Sequence, residues 1–468
     1  MPTPVGPDPA EPYPAMPDPA MPDPDGARER AVASLQALIQ VPSVSDPDPA
    51  RVDAAAFDRL LEVLRERYPL IHERLEVTRH SGHALLVRWA GASSERPVVL
   101  MAHLDVVPVD ERAPWQHPPF SGEVRDGRVW GRGALDDKGQ VVTVCEAVES
   151  LLAEDVVPAQ DVWLSFGCDE EVSGTSAQTA VDLLRERGVR PWFVLDEGGA
   201  VAHQAFPGVE PPVAVVGVAE KGTTDIRLVA TGRGGHASTP ARRGPTWRIA
   251  RALQRVEAHP MPASLPDPTV ELLTRLAPHL PRPLRTLMSR ADRLRPALTR
   301  ALVAAGPEPA AMTRTTFAAT TLSGSPGHNV IATRAEAGLN VRVAVGDTVE
   351  GVVEHLRRVV KDPQVSIEVL DAGDPSPVSP YRDDPAFDLV TATIEEIFPD
   401  AVVSPYVLMA ATDSRRFTAI CERVYRFAPL RMTKEQRESI HSYDERVGCQ
   451  DLADGVAWTR RLIERLPG

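Results

Sequence analysis

The stretch Pro97-Val-Val-Leu-Met-Ala-His-Leu-Asp-Val-Val-Pro108 sets the fold class. Residues 97–102 form a short apolar run without polar alternation, the pattern of a strand covered on both faces. His103 and Asp105 follow at its end, and i, i+2 spacing puts both side chains on one face. In open α/β sheets, ligands gather outside the carboxyl ends of strands. Alone, such a His-x-Asp pair serves equally as a structural hydrogen-bonded pair.

Outward from this strand, apolar spacing at Val32, Leu35, Leu38 and Ile39 predicts a helix over residues 27–40. A second helix is predicted over 51–67 and a strand over 84–89. Downstream come a helix over 138–154, a strand over 161–167, a helix over 176–188 and a strand over 192–195. Strands alternating with helices imply an α/β/α layer sandwich. The texture changes near Pro211. Strands over 213–217 and 224–230, a helix over 246–257, strands over 315–322 and 337–345, and a helix over 348–360 form a smaller α+β set. A Pro/Arg-rich helical stretch, about 259–307, interrupts it. Residues 213–374 therefore read as a domain inserted into a larger one built from 27–212 and 375–468. Closing helices of the larger domain are predicted over 387–397, 413–420 and 449–466.

The chain has 468 residues, 43% of them hydrophobic, and a net charge of −14. That length calls for two or three domains. No Lys/Arg block is present to neutralise phosphates, which argues against nucleic acid as a partner. No apolar run approaches the ~20 residues needed to span a membrane. Residues 1–26 repeat Pro-Asp-Pro-Ala units and read as a disordered tail rather than a secretory signal. The four cysteines form no Cys-x-x-Cys pair, and Cys145 and Cys168 lie in apolar segments, as expected of reduced thiols in a cytoplasm.

Four further clusters carry chemistry. Gly131-Arg-Gly-Ala-Leu-Asp-Asp-Lys-Gly139 sets two acids before a helix whose dipole favours negative charge. By itself the pair reads as helix capping by Asp136 or Asp137, but the glycines that bracket it imply a close-fitting turn, which capping alone would not need. In Phe166-Gly-Cys-Asp-Glu-Glu-Val-Ser-Gly174, three acids follow an apolar strand, where they repel one another unless a cation is near. Leu195-Asp-Glu-Gly-Gly199 again ends a strand in acids, with Asp196 first beyond it. Ile440-His-Ser-Tyr-Asp-Glu-Arg446 lies far away near the C-terminus. Together the clusters supply His103, Asp136, Glu171, Asp196 and His441. A mixed nitrogen and oxygen set suits Zn²⁺, with Co²⁺ or Mn²⁺ as substitutes. Five ligands are too many for one catalytic zinc that keeps an open position, and they fit two zinc ions sharing a carboxylate.

The order of these clusters, with Gly232-Arg-Gly-Gly-His-Ala-Ser238 between the fourth and fifth, resembles the zinc exopeptidase family. That family includes carboxypeptidase S, glutamate carboxypeptidase, aminoacylase, acetylornithine deacetylase and succinyl-diaminopimelate desuccinylase. The segment 118–133 is most like the carboxypeptidase S branch. The resemblance implies a zinc-exopeptidase-type α/β/α catalytic domain with an inserted ferredoxin-like lid, a homodimer through that lid, and a cis peptide after Asp136. It implies that His103, Asp136 and Asp196 hold one zinc, and Asp136, Glu171 and His441 the other. Asp105 would orient His103, Glu170 would be the general base, and His236 would stabilise the oxyanion. Asn329, Arg342 and Thr412, the last in Ala411-Thr-Asp-Ser-Arg415, match substrate-side positions. The sequence departs from the family at Met409, Ala410 and Ala411, where glycines are common, and at Tyr443-Asp444-Glu445 after the late histidine.

The implied activity is hydrolysis of an amide bond beside a free carboxylate, in a small peptide or an N-acyl amino acid. Within the same chemistry, the rivals are a dipeptidase, a succinyl-diaminopimelate or acetylornithine deacylase, and a fatty-acyl-amino-acid hydrolase. A catalytically silent metal-binding scaffold is the non-enzyme rival, and no ligand or Glu170 has been lost to favour it. A serine hydrolase lacks its Gly-x-Ser-x-Gly elbow.

Overall fold

The computed structural model describes residues 24–110, 112–240 and 242–468. Its larger sheet runs Glu76–His80, Ala84–Trp89, Gln160–Gly167, Ser93–His103, Phe193–Asp196, Val424–Arg426, Val213–Glu220, Val201–Ala202, Arg431–Met432, with Val402–Leu408 paired to Val213–Glu220. The centre is parallel. His103 lies level with Gly167, Leu100 with Leu195, and Arg426 with Asp196. These strands therefore end along one edge, which is where the acid-bearing loops begin.

Alternation along Ser93–His103 feeds two separate cores. Val98 and Leu100 face helices Pro24–Ile39, Lys138–Ala153, Pro385–Ile397 and Cys449–Glu464, packing with Leu35, Val142, Val390 and Trp458. Val99 and Met101 face helix Ser176–Glu186, packing with Trp163 and Val181. Cover on both faces explains why the strand reads as one apolar run.

The second sheet is antiparallel, in the order Thr316–Ser323, Arg334–Val343, Gly222–Thr231, Val365–Asp371. Helices Pro245–Ala258 and Val349–Val360 cover it through Ile249, Val256, Val352 and Leu356, giving a ferredoxin-like βαββαβ order.

Several expectations shift. Residues 213–217, expected as the first strand of the insertion, fall in strand Val213–Glu220 of the larger sheet, whose eight residues are all buried. The second sheet opens instead at Gly222, where a Cβ would lie 2.1 Å from the Gly373 carbonyl of the returning chain. Val402–Leu408 is an additional strand. Residues 413–420, read as an α-helix, form a 3-10 turn over Asp413–Ala419. Of the expected tail, residues 1–23 lie outside the described residues, and 24–26 begin the first helix.

The Pro/Arg-rich stretch folds into helices Asp267–Leu276, Arg282–Met288, Arg295–Ala305 and Pro307–Ala311. Both its ends lie in the second unit, yet it packs on the first. Leu272, Leu276 and Leu280 cluster with Val213, Val215, Val402 and Tyr406. Arg275 donates to the Val403 carbonyl (3.2 Å), and the Lys221 ammonium donates to the carbonyls of Ala311 (2.6 Å) and Arg314 (2.7 Å). Truncating the fully buried Leu272 removes packing across this contact. Leu272→Ala should cost about 2–5 kcal/mol in denaturant unfolding. A loss under about 0.5 kcal/mol, typical of a surface position, would show that the stretch is not anchored there.

Candidate metal centre

Loops from three parallel strands and the late loop converge at the sheet edge. His103 ends its strand, and its Nδ1 donates to the Asp105 carbonyl (3.0 Å), with the Asp105 carboxylate at 3.4 Å. That bond fixes the tautomer and leaves Nε2 to face Asp136 Oδ1 at 2.9 Å. The Asp105 carboxylate also accepts the backbone N–H groups of Glu170 (3.2 Å) and Glu171 (3.1 Å), so it ties the first strand-end loop to the second.

Asp136 sits between two imidazoles. Its Oδ2 lies 3.0 Å from His441 Nε2, which is also 3.0 Å from Glu171 Oε2. Two donors bound to one zinc at 2.0–2.1 Å lie ~3 Å apart, so these hydrogen-bonded separations also suit ligands of a shared ion. The Asp136–Asp137 peptide is cis. His441 takes a left-handed backbone (φ 59°).

The structure brings His103, Asp136, Glu171 and His441 together, but it turns Asp196 away. Asp196 is buried, and its Oδ2 accepts the Ser414 N–H (2.9 Å). The next residue, Glu197, brings a carboxylate oxygen within 4.8 Å of donor atoms of His103 and Asp137. Neighbouring residues at a strand end point to opposite sides, so Asp196 and Glu197 cannot both face the cluster. Of these two acids, it is Glu197 rather than Asp196 that lies near His103. Thr412 also differs from expectation. It is buried, and its N–H and hydroxyl both donate to Glu220 Oε2 (3.1 and 3.2 Å), so it braces the Asp196 loop instead of lining an open pocket. Of the three crowded acids, Asp169 accepts the Thr175 and Ser176 N–H groups and caps the helix beyond.

His236, Asn329 and Arg342 lie on the second unit. His236 is exposed, with its ring bonded to Ser238 (2.7 Å). The Asn329 carbonyl accepts the Ala237 N–H (3.0 Å), which holds these two residues together on a small ribbon. Neither joins the cluster of buried acids. Arg342 is half-buried and donates to Thr223 Oγ1 (2.7 Å).

Electrostatics argue for cations at this edge. Burial, with the charge of Asp136 added, pushes Glu197 well above the usual carboxylate range, and burial with Asp413, Asp136 and Glu171 does the same to Glu170. Burial and the Asp196 charge push Asp413 up to about 8. Burial alone would also raise Asp136, but the imidazoles of His103 and His441 hold it well below the usual range. Among the described residues, Asp137 Oδ1 and Glu171 Oε1 are buried without any hydrogen-bond partner. Oxygens of this kind in a mixed imidazole and carboxylate set fit divalent metal ions.

Over residues 99–465 the sequence matches the model of peptidase family M20/M25/M40. The chain belongs to that family. This M20 hydrolase is 34% identical over 449 residues to N-fatty-acyl-amino acid synthase/hydrolase PM20D1 of Homo sapiens, covering 94% of this chain and 88% of that protein. It is 33% identical over 413 residues to probable carboxypeptidase S-like 2 of Dictyostelium discoideum, covering 87% and 79%. The fold matches an M20 metallo-carboxypeptidase of Sulfolobus solfataricus at TM-score 0.65 and 17% identity, covering 93% and 98% of the two chains. It matches human carnosine dipeptidase 1 at TM-score 0.65 and 16% identity, covering 94% and 96%. Among the described residues no helix is long and apolar enough to cross a membrane.

The bonds to Asp136 and Glu171 hold the metal-free His441 imidazole protonated up to about pH 10, and a metal must displace that proton. A histidine pKa raised above its ordinary value opposes metal binding more as pH falls. Apparent metal affinity should therefore rise between about pH 6 and about pH 9, with proton release detectable by calorimetry in buffers of different ionisation enthalpy. Affinity independent of pH would contradict His441 as a ligand.

Proposed function

We propose that the protein hydrolyses the amide bond of N-acyl amino acids, and of short peptides with a free terminal carboxylate, using two zinc ions. The observation that carries this reading is Asp136, with one oxygen at ligand-to-ligand distance from His103 and the other from His441. His103, Asp136 and Glu197 would hold one ion, and Asp136, Glu171 and His441 the other, with Co²⁺ or Mn²⁺ as substitutes. Such ions, when bound, lower the pKa of a water and polarise a carbonyl oxygen.

The protein's own groups do the rest. Glu170 accepts the proton of the attacking water as its oxygen bonds to the carbonyl carbon, then gives it to the amine nitrogen as the C–N bond breaks. Asp105 keeps His103 in one tautomer throughout. His236 donates to the developing oxyanion, Asn329 to the substrate carbonyl, and Arg342 pairs with the carboxylate of the amino-acid half. His236 is exposed and must approach the acids by closure of the second unit or from a second copy. The edge strand Thr316–Ser323, uncharged and exposed over its last six residues, supports a homodimer built through that sheet. Four free cysteines, three of them buried, support a cytoplasmic location. The names of the relatives favour an N-acyl amino acid first and a carboxypeptidase substrate second.

Glu170→Gln should retain both metals and lose about 10³-fold in kcat. Near-full turnover would remove Glu170 as the base. Arg342→Ala should raise KM for N-acyl amino acids and leave that for acyl amides without a carboxylate unchanged. Equal effects on both would remove its role in carboxylate binding.

A further inference from the structure

Glu445 is fully buried four residues after His441, and its carboxylate is spent entirely on the loop that carries Asp136. Oε2 accepts Arg132 Nη1 (2.6 Å) and the Gly133 N–H (3.1 Å); Oε1 accepts the Leu135 N–H (2.8 Å) and the N–H of Asp136 itself (3.1 Å). Arg132 closes the circuit by donating through Nη2 to the Ser442 carbonyl (2.5 Å), and the Gly131 N–H donates to the Glu445 carbonyl (2.9 Å). The loop carrying His441 is thus fastened to the Asp136 loop by six hydrogen bonds, two of them from one guanidinium.

We infer that Glu445 is a positioning residue that sets the separation of Asp136 Oδ2 and His441 Nε2, and so shapes the ion site made by Asp136, Glu171 and His441. This rests on the two-metal reading above. Strand Ser93–His103 and the Asp105 carboxylate position His103 independently, and Asp137 Oδ2 accepts the His103 N–H (3.1 Å). The other ion site, at His103, Asp136 and Glu197, therefore depends less on Glu445. Charge-assisted bonds from the N–H groups of Gly133, Leu135 and Asp136 cannot be reproduced by an amide, whose NH₂ would oppose donors. Loss of the carboxylate should loosen one ion rather than both.

The test is Glu445→Gln in the full chain, titrated with Zn²⁺ and Co²⁺ beside the wild type. Metal content is read by elemental analysis and site occupancy by the visible Co²⁺ spectrum. Wild type should bind two equivalents. The variant should bind one equivalent as tightly as wild type, while the second needs about 10- to 100-fold more free metal. At subsaturating metal kcat should fall with KM unchanged. Two equivalents at wild-type affinity, or both weakened alike, would overturn the inference. If Glu445→Gln does not fold, Arg132→Gln carries the test, because it leaves the three N–H bonds in place. A weakened second equivalent supports the inference, and unchanged binding of both overturns it. Fewer than two equivalents on the wild type would instead refute the two-metal reading itself, a separate outcome.

Discussion

The structure depends on one partly buried carboxylate, Asp136, held between the imidazoles of His103 and His441. A carboxylate removed from water is costly unless it is paired and hydrogen-bonded. Here Asp136, Asp137, Glu170, Glu171, Asp196, Glu197 and Asp413 crowd one sheet edge, and several are driven above their ordinary pKa by burial and by one another. Such crowding is stable when positive charge enters, and the imidazoles of His103 and His441 sit at its centre. Much of the surrounding framework serves to hold this arrangement. Asp105 binds the Glu170 loop to His103, Glu445 and Arg132 bind the His441 loop to Asp136, and the buried Glu220–Arg426 pair (3.0 Å) braces Thr412 beside Asp196.

The second unit brings a different kind of chemistry. Its His236, Asn329 and Arg342 lie outside the acid cluster and bond within that unit. It joins the larger sheet through the chain at Glu220–Gly222 and again near Gly373–Ser376, where the Glu220 N–H donates to Ser376 Oγ (2.9 Å). The helical stretch 267–311 adds a third attachment. Its ends belong to the second unit while its apolar face packs on Val213, Val215 and Val402, so any swing of that unit must carry or break this contact.

Much of this was legible in the sequence because strand ends are written in two alphabets at once. An apolar run such as 97–102 followed by His103 and Asp105 announces both the buried strand and the site beyond it. The choice between Asp196 and Glu197 was not legible, because adjacent acids differ only in which way the last residue of the strand turns. Val402–Leu408 escaped notice because Pro405 argues against a strand, and the structure resolves this by placing it at an edge paired on one side. Val213–Glu220 was assigned to the wrong sheet, since a buried run carries no mark of its partner. Nothing in Tyr443-Asp444-Glu445-Arg446 marks Glu445 for burial, which emerges only when the Gly131–Asp136 loop folds around it. Thr412 is expected on the substrate side from its motif, but its hydroxyl is committed to Glu220, a bond that only the folded chain reveals.

If two cations share Asp136, as proposed, the pair can be seen directly. Anomalous diffraction at the zinc edge, from crystals of the zinc-loaded protein, should give two peaks about 3.5–4 Å apart, one on each side of that carboxylate. A single peak, or two peaks with Asp136 touching neither or only one, would contradict the shared-carboxylate site.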